Sequence, residues 1–280
     1  MQNDCRSTKN CEIMPMCVSG DHDDLENMES LTMSSNIVES SSEEDSKENI
    51  KYGTRQSPIN VVSHEIYRNK GHKVDVEFED LQDGTLTLNY NSLQVDYEGG
   101  RLKYKAHSKS SAWKSAQFHF HAPAEHKIDG HTYDAEMHMV FRGECFPDEL
   151  AVLGILFEIS EDGEPNQFIE SLRLGELSYP VDVKSKINSR ISDVFNGKLK
   201  GEVINYLGSL TTPGFDESVT WFLVKNPIKI NDAELKNLTK FWGNEKFIHC
   251  ETGNARNIRQ TGSRIVQKFP LQCHLNGNHE

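Results

Sequence analysis

The sequence predicts a mainly β fold of the α+β kind, a single sheet-dominated domain with a few peripheral helices. Three observations predict it. From Gln56 onward, short runs of alternating or strand-forming residues recur between turn signals. The apolar run 150–157 has the length and composition of a strand buried on both faces. Asp129-Gly130, a preferred two-residue hairpin turn, separates two segments rich in histidine and apolar residues.

Taken in order, residues 1–50 hold twelve Asp/Glu against three Lys/Arg, −9 of the net −13 carried by the 280 residues. They are serine-rich between Ser40 and Ser46, lack aromatics and show no apolar period, which predicts a disordered acidic tail. Residues 51–270 read as one catalytic-sized domain and 271–280 as a C-terminal tail. Strands are expected at 75–78, 86–90, 93–97 and 102–106, with tight turns at Asp83-Gly84 and Gly99-Gly100. After the histidine-rich hairpin come the buried strand at 150–157, helical stretches at 166–172 and 187–195, and a strand at 217–224. A last helix is expected at 231–242, capped by Asn231 with Glu234 reaching back and stopped by Gly243.

Outside the tail the net charge is only about −4, with no basic patch of the kind that binds nucleic acid. The N-terminus lacks a signal-peptide layout, and the longest apolar run is too short to span a bilayer. Six dispersed cysteines do not form a dense disulfide framework, so reduced thiols and a cytoplasmic home are expected. Cys5, Cys11 and Cys17 recur every six residues in the tail, a spacing more often incidental than metal-binding. Asn237-Leu238-Thr239 is a glycosylation sequon only if the chain is secreted. A monomer is expected, with a dimer left open.

Chemistry concentrates between Gln117 and His138. In an extended chain His119 and His121 share one face, and Phe118 and Phe120 the other. If Asp129-Gly130 sets the register, Ile128 faces His131 and His121 lies directly across from His138. Three imidazoles from neighbouring strands make an N₃ site of the kind that leaves zinc an open fourth position. Gln117 and Glu136, each two residues from a histidine on the same face, are candidates to orient the rings. A lone His-x-His pair is more often just a half-buried strand pair, and it is the third histidine in register that favours metal. His119-x-His121-x3-Glu125 also matches the first half of a cupin metal motif, in which Glu125 is a ligand; the second half is not found around His138.

The segment from Gln117 to Val140 resembles the α-class carbonic anhydrases. Gln56-Ser57-Pro58-Ile59-Asn60, Gly208-Ser209-Leu210-Thr211-Thr212-Pro213, Val219-Thr220-Trp221 and Asn257-Ile258-Arg259 extend the likeness over roughly residues 52–269. The resemblance implies a large, mostly antiparallel twisted sheet of about ten strands with Zn2+ at the bottom of a cone. It implies His119, His121 and His138 as zinc ligands, with Gln117, Glu136 and Asn257 behind them. Thr211 and Glu125 become the catalytic pair, the Thr211 hydroxyl donating to Glu125 and accepting from the zinc-bound hydroxide. Thr211 and Thr212 would contact bicarbonate, and Val140, Val152, Leu210 and Trp221 would line a pocket for carbon dioxide. The implied reaction is the reversible hydration of carbon dioxide.

The sequence departs from that pattern in places. Asn91 falls where fast members carry a proton-shuttling histidine, which implies slower turnover; His64, His107 and His126 are the substitutes to consider. Pro213-Gly214-Phe215 replaces the usual second proline, and the disulfide of secreted members is expected to be absent. Two other readings stand beside the enzyme: a non-catalytic scaffold relative and a cupin-like metal oxygenase.

Overall fold

The structure, a computed structural model, describes residues 53–89, 92–176, 185–195, 200–240 and 253–275. All belong to one compact unit, Tyr52–Glu280. The acidic tail with its three cysteines, Asn91, and the expected end of the last helix at Trp242-Gly243 lie outside the described residues.

The first strands in chain order are β1 (Asn60–Val61), β2 (Tyr67–Arg68), β3 (His72–Phe78), β4 (Leu81–Asn89), β5 (Ser92–Asp96) and β6 (Gly100–Ala106). Then come β7 (Lys109–His121), β8 (Lys127–Ile128), β9 (His131–Thr132), β10 (Ala135–Gly143) and β11 (Leu150–Ile159). The last are β12 (Ser185–Ser189), β13 (Lys200–Gly208), β14 (Val219–Val224), β15 (Ile228–Ile230) and β16 (Gln267–Leu275). Among the described residues two α-helices interrupt them, α1 (Gln167–Ser171) and α2 (Asp232–Thr239).

Most strands join one large, mostly antiparallel sheet in the order β10-β11-β14-β13-β16-β3-β6-β7-β5-β4-β12, and a further β10–β7 pairing closes its first eight members into a ring. Strand β7 makes that closure possible because it is thirteen residues long. One edge pairs with β6 along its first half and β5 along its second, while the other edge pairs with β10.

Alternation along β7 buries Phe118 and Phe120 on the core face and leaves the histidines on the other. Phe118 meets Phe168 of α1 at 5.7 Å, and Phe120 meets Phe157 of β11 at 6.4 Å. Each fully buried phenylalanine contributes about 1.5–3 kcal/mol. Helix α1 starts where Asn166 accepts from Phe168 N and Ile169 N, and α2 starts with the expected capping box between Asn231 and Glu234.

The structure corrects the sequence reading at several elements. Residues 187–195 are not one helix: Ile187–Ser189 belong to β12, and only Ile191–Phe195 is helical, as a short 3-10 helix. Their apolar spacing served a strand edge followed by a tight turn, which a short helical window cannot tell apart. Asp83-Gly84 lies inside β4, where Asp83 takes φ 51° beside an irregularity in the β4–β12 ladder, so it kinks a strand instead of reversing it. Strand β16 runs to Leu275 and pairs with β3, so the domain extends past residue 270 into the supposed tail. Cys145 is disulfide-bonded, its partner outside the described residues, against the expectation of reduced thiols; Cys273 is free and buried. Sequence distance hides which cysteines a fold brings together. Among the described residues no helix is long and apolar enough to cross a membrane.

Candidate functional site

Strands β7 and β10 set His138 directly opposite His119, and Glu136 opposite His121. The expected pairing of His121 with His138 is therefore off by two residues. The hairpin itself has the expected register, Ile128 opposite His131. However, β8 pairs with β1 in a separate small sheet, and residues 122–126 are longer than the segment facing them. That loop absorbs the offset. Two residues is one full pleat, so all three histidines still share a face.

The rings converge, with centroids 5.1 Å apart for His119–His121, 5.2 Å for His119–His138 and 4.6 Å for His121–His138. One ring nitrogen from each lies within 4.8 Å of the others, a set that could hold a metal ion. The other nitrogen of each is engaged: His119 Nδ1 by Gln117 Oε1 at 2.9 Å, His121 Nδ1 by the Asn254 carbonyl at 3.2 Å, His138 Nε2 by Glu136 Oε1 at 2.9 Å. These oxygens only accept, so each engaged nitrogen carries the proton and leaves a lone pair on its neighbour. His121 Nε2 is buried and has no hydrogen-bond partner.

The surroundings favour neutral rings at two positions. Burial, then the charges of His121 and His138, hold His119 well below the usual histidine value, and burial likewise lowers His121. For His138 burial pulls down, but the charge and hydrogen bond of Glu136, with the charge of Glu125, outweigh it and raise the ring. Glu136 is the converse: burial pushes it up, yet the charges and hydrogen bonds of His126 and His138 hold it well below the carboxylate range.

Glu136 is the hub behind the rings. Its Oε2 accepts from the backbone N–H groups of Glu125 and His126 at 2.9 and 2.8 Å. Its Oε1 meets His126 Nδ1 at 2.7 Å as well as His138. His126 Nε2 is 2.6 Å from the Tyr206 hydroxyl, which lies 2.9 Å from Ser57 Oγ. Gly154, opposite His138 on β11, makes room for this hub, since a Cβ there would sit 3.1 Å from Glu136 Oε1 and 2.9 Å from Leu223 Cδ1.

An apolar wall stands beside the rings. Val140 faces Val152 across β10–β11, and Val152 faces Trp221 across β11–β14. The Trp221 ring is 4.8 Å from His138, and Leu210 packs against the same cluster. Thr211, 9% exposed, and the exposed Thr212 begin the loop after β13. Glu125 Oε1 accepts from Arg256 N at 2.8 Å, and its Oε2 lies 3.9 Å from His138 Nδ1.

The family model described as eukaryotic-type carbonic anhydrase matches residues 41–270. The chain belongs to that family. It is 30% identical over 217 residues to a carbonic anhydrase of Nostoc, covering 76% of this chain and 75% of that protein. It is 28% identical over 210 residues to human carbonic anhydrase 7, covering 66% of this chain and 76% of that one. Among solved structures, the α carbonic anhydrase of Aspergillus oryzae superposes with a TM-score of 0.61 at 28% identity, covering 76% of this chain and 85% of that one. Membership removes the cupin reading. The family hydrates carbon dioxide and is in general zinc-dependent.

Several expected residues do not sit as the resemblance implied. Among the described residues Thr211 makes no hydrogen bond to Glu125; the carboxylate is turned toward the ring nitrogens, and its buried Oε2 has no partner. Asn257 is exposed. The asparagine behind His121 is Asn254, whose side chain also accepts from Ala122 N and donates to the Phe120 carbonyl. Its segment approaches β7 so closely that a Cβ on Gly253 would lie 2.0 Å from the Ala122 carbonyl oxygen. No spacing signal distinguishes Asn254 from Asn257, because the contact to His121 is through the backbone. His126 is fully buried in the Glu136 network and unsuited to carry protons to solvent. Exposed His107 sits against His72, its ring 5.1 Å away, and exposed His64 lies on the turn after β1 beside Glu65.

Proposed function

We propose that this protein binds one zinc ion through His119, His121 and His138 and catalyses the reversible hydration of carbon dioxide to bicarbonate and a proton. The observation that carries it is the set of three ring nitrogens with lone pairs on one sheet face, each fixed from behind by a separate acceptor. Neutral imidazoles with oriented opposite nitrogens are what zinc prefers, and the partnerless His121 Nε2 is a buried polar atom that such an ion would satisfy. When bound, the ion supplies a water acidified enough to act as a nucleophile near neutral pH.

The protein's own residues do the rest. Gln117, Asn254 and Glu136 hold the rings in one tautomer and one orientation. Val140, Val152, Leu210 and Trp221 give apolar carbon dioxide a wall that makes no demand for hydrogen bonds. Thr211 and Thr212 offer hydroxyls at the start of the adjoining loop to the anionic product. Glu125 is anchored by Arg256 N at one carboxylate oxygen while the other lies unbonded 3.9 Å from His138 Nδ1, so it acts here beside the rings and not through the Thr211 hydroxyl. By its place in the sequence resemblance Asn91 replaces the proton-shuttling histidine, and an amide does not titrate near neutral pH. Proton release therefore limits turnover.

Stopped-flow hydration of carbon dioxide by zinc-loaded protein tests this, with His138→Ala and a chelator-treated sample beside it. Activity that is lost in both controls and rises with imidazole buffer is expected. Full zinc occupancy with no hydration above background would assign the chain to the non-catalytic relatives.

A further inference from the structure

We propose that Arg256 and Phe215 form a clamp that positions the Thr211–Phe215 loop and ties it to Glu125. The inference rests on the proposed function for its catalytic consequence, but not for its structural one.

The loop is closed at its base by Leu210 N donating to the Asp216 carbonyl at 3.0 Å. Near its end Gly214 takes φ 110° and Phe215 takes φ 51°. Glycine adopts such a backbone freely, whereas a bulky aromatic residue does so only when its surroundings over-determine it. They do. Phe215 N donates to the Thr212 carbonyl at 3.0 Å, and the Phe215 carbonyl accepts from Gln56 Nε2 at 3.1 Å. The Arg256 guanidinium carbon lies 3.7 Å from the centre of the Phe215 ring, a close cation–π contact made by a flat, weakly hydrated group that a lysine ammonium does not match.

Arg256 is itself fixed. Its Nη1 donates to Gln56 Oε1 at 2.9 Å and to the Ser57 carbonyl at 2.8 Å. Its backbone N–H donates to Glu125 Oε1 at 2.8 Å. One residue thus touches both the carboxylate beside His121 and His138 and the aromatic ring that ends the threonine loop. The path from Thr212 through Phe215 and Arg256 to Glu125 consists of direct contacts only. Phe215 and Arg256 are positioning residues, neither being placed against the rings.

The test replaces Phe215 by Gly, which removes the ring and relieves the left-handed backbone, by Tyr, which keeps the ring, and replaces Arg256 by Lys. Three quantities are read: hydrogen exchange of the 210–216 segment, zinc content with thermal midpoint, and kcat/KM for bicarbonate dehydration. Phe215→Gly and Arg256→Lys should raise exchange in that segment about tenfold or more while zinc content holds. They should lower kcat/KM about tenfold, mainly through KM, and Phe215→Tyr should recover to within twofold. Unchanged exchange in Phe215→Gly overturns the clamp, as does activity lost only in step with the folded fraction. If Phe215→Gly does not fold, exchange in Arg256→Lys decides by the same criterion. Should the parent protein bind zinc without hydrating carbon dioxide, the functional reading fails, and the exchange data still decide for or against the clamp.

Discussion

Replacing Glu136 by Gln keeps the side chain's shape but removes its charge and half of its accepting capacity. In the native site its two oxygens accept from four N–H groups, two from the backbone and one each from His126 and His138, all buried. A glutamine carbonyl can serve one pair, so its NH2 must confront the other. If the amide faces the backbone, two buried donors go unsatisfied at roughly 1–3 kcal/mol each, partly offset by no longer burying a charge. If it faces the rings, His138 must accept at Nε2 and carry its proton on Nδ1, the atom that would otherwise offer the lone pair. Either outcome weakens metal binding, by about 10–100-fold for the loss of such a supporting partner. That corresponds to about 1.4–2.8 kcal/mol. Zinc competition against a chromophoric chelator measures the affinity, and urea denaturation of the metal-free protein measures a stability loss of about 2–4 kcal/mol. A variant that binds zinc within twofold of the parent and unfolds at the parent midpoint would refute the reasoning.

Gly154→Val should disturb the same hub from the opposite strand, because the added Cβ already meets Leu223 Cδ1 at 2.9 Å and Glu136 Oε1 at 3.1 Å. Overpacking of this kind costs about 1–3 kcal/mol, read by urea denaturation, and should lower zinc affinity as well. Metal-free protein should lose stability as pH falls below about 6.5. His119 and His121 titrate below the unfolded-chain histidine value, so the unfolded state takes up protons first, and their stabilisation disappears on acidification. Glu136, lowered as a carboxylate, adds a second loss below about pH 4.5, whereas His138, raised, loses its contribution only as pH climbs above about 6.5. Denaturation midpoints measured from pH 8 to pH 4 check the order of these steps.

The fold class and the histidine trio were legible because both rest on period two. Alternation in β7 names the core face and the site face at once, and Gln117 and Glu136 follow from the same spacing. What was not legible arrives from far along the chain. Asn254 lies 133 residues from the His121 ring it supports, and Arg256 131 residues from Glu125. Tyr206 reaches His126 across 80 residues. Backbone donors and acceptors carry two of these contacts, and a backbone group leaves no trace in residue type. The 187–195 segment was legible only in its second half for a different reason, since a five-residue strand followed by a five-residue 3-10 helix offers too few residues to separate one period from another.

The misjudged register shows what holds the site together. A turn-based argument makes Asp129-Gly130 responsible for aligning the histidines, yet β8 and β9 leave the main sheet for a small one in which β8 pairs with β1. The parity of β7 must therefore be set elsewhere. Phe118 and Phe120 are fully buried on its other face, as are Met137, Met139 and Phe141 on β10. Sliding either strand by one residue would turn these apolar side chains onto the polar site face and drive the strand's histidines into the apolar core, away from the acceptors that satisfy them. A slide of two costs far less, because it preserves the faces. The hydrophobic core thus fixes which face the imidazoles occupy, while the cross-strand partners that Glu136 and Asn254 can reach select among the registers sharing that face. The turn is free to be wherever the loop of residues 122–126 leaves it.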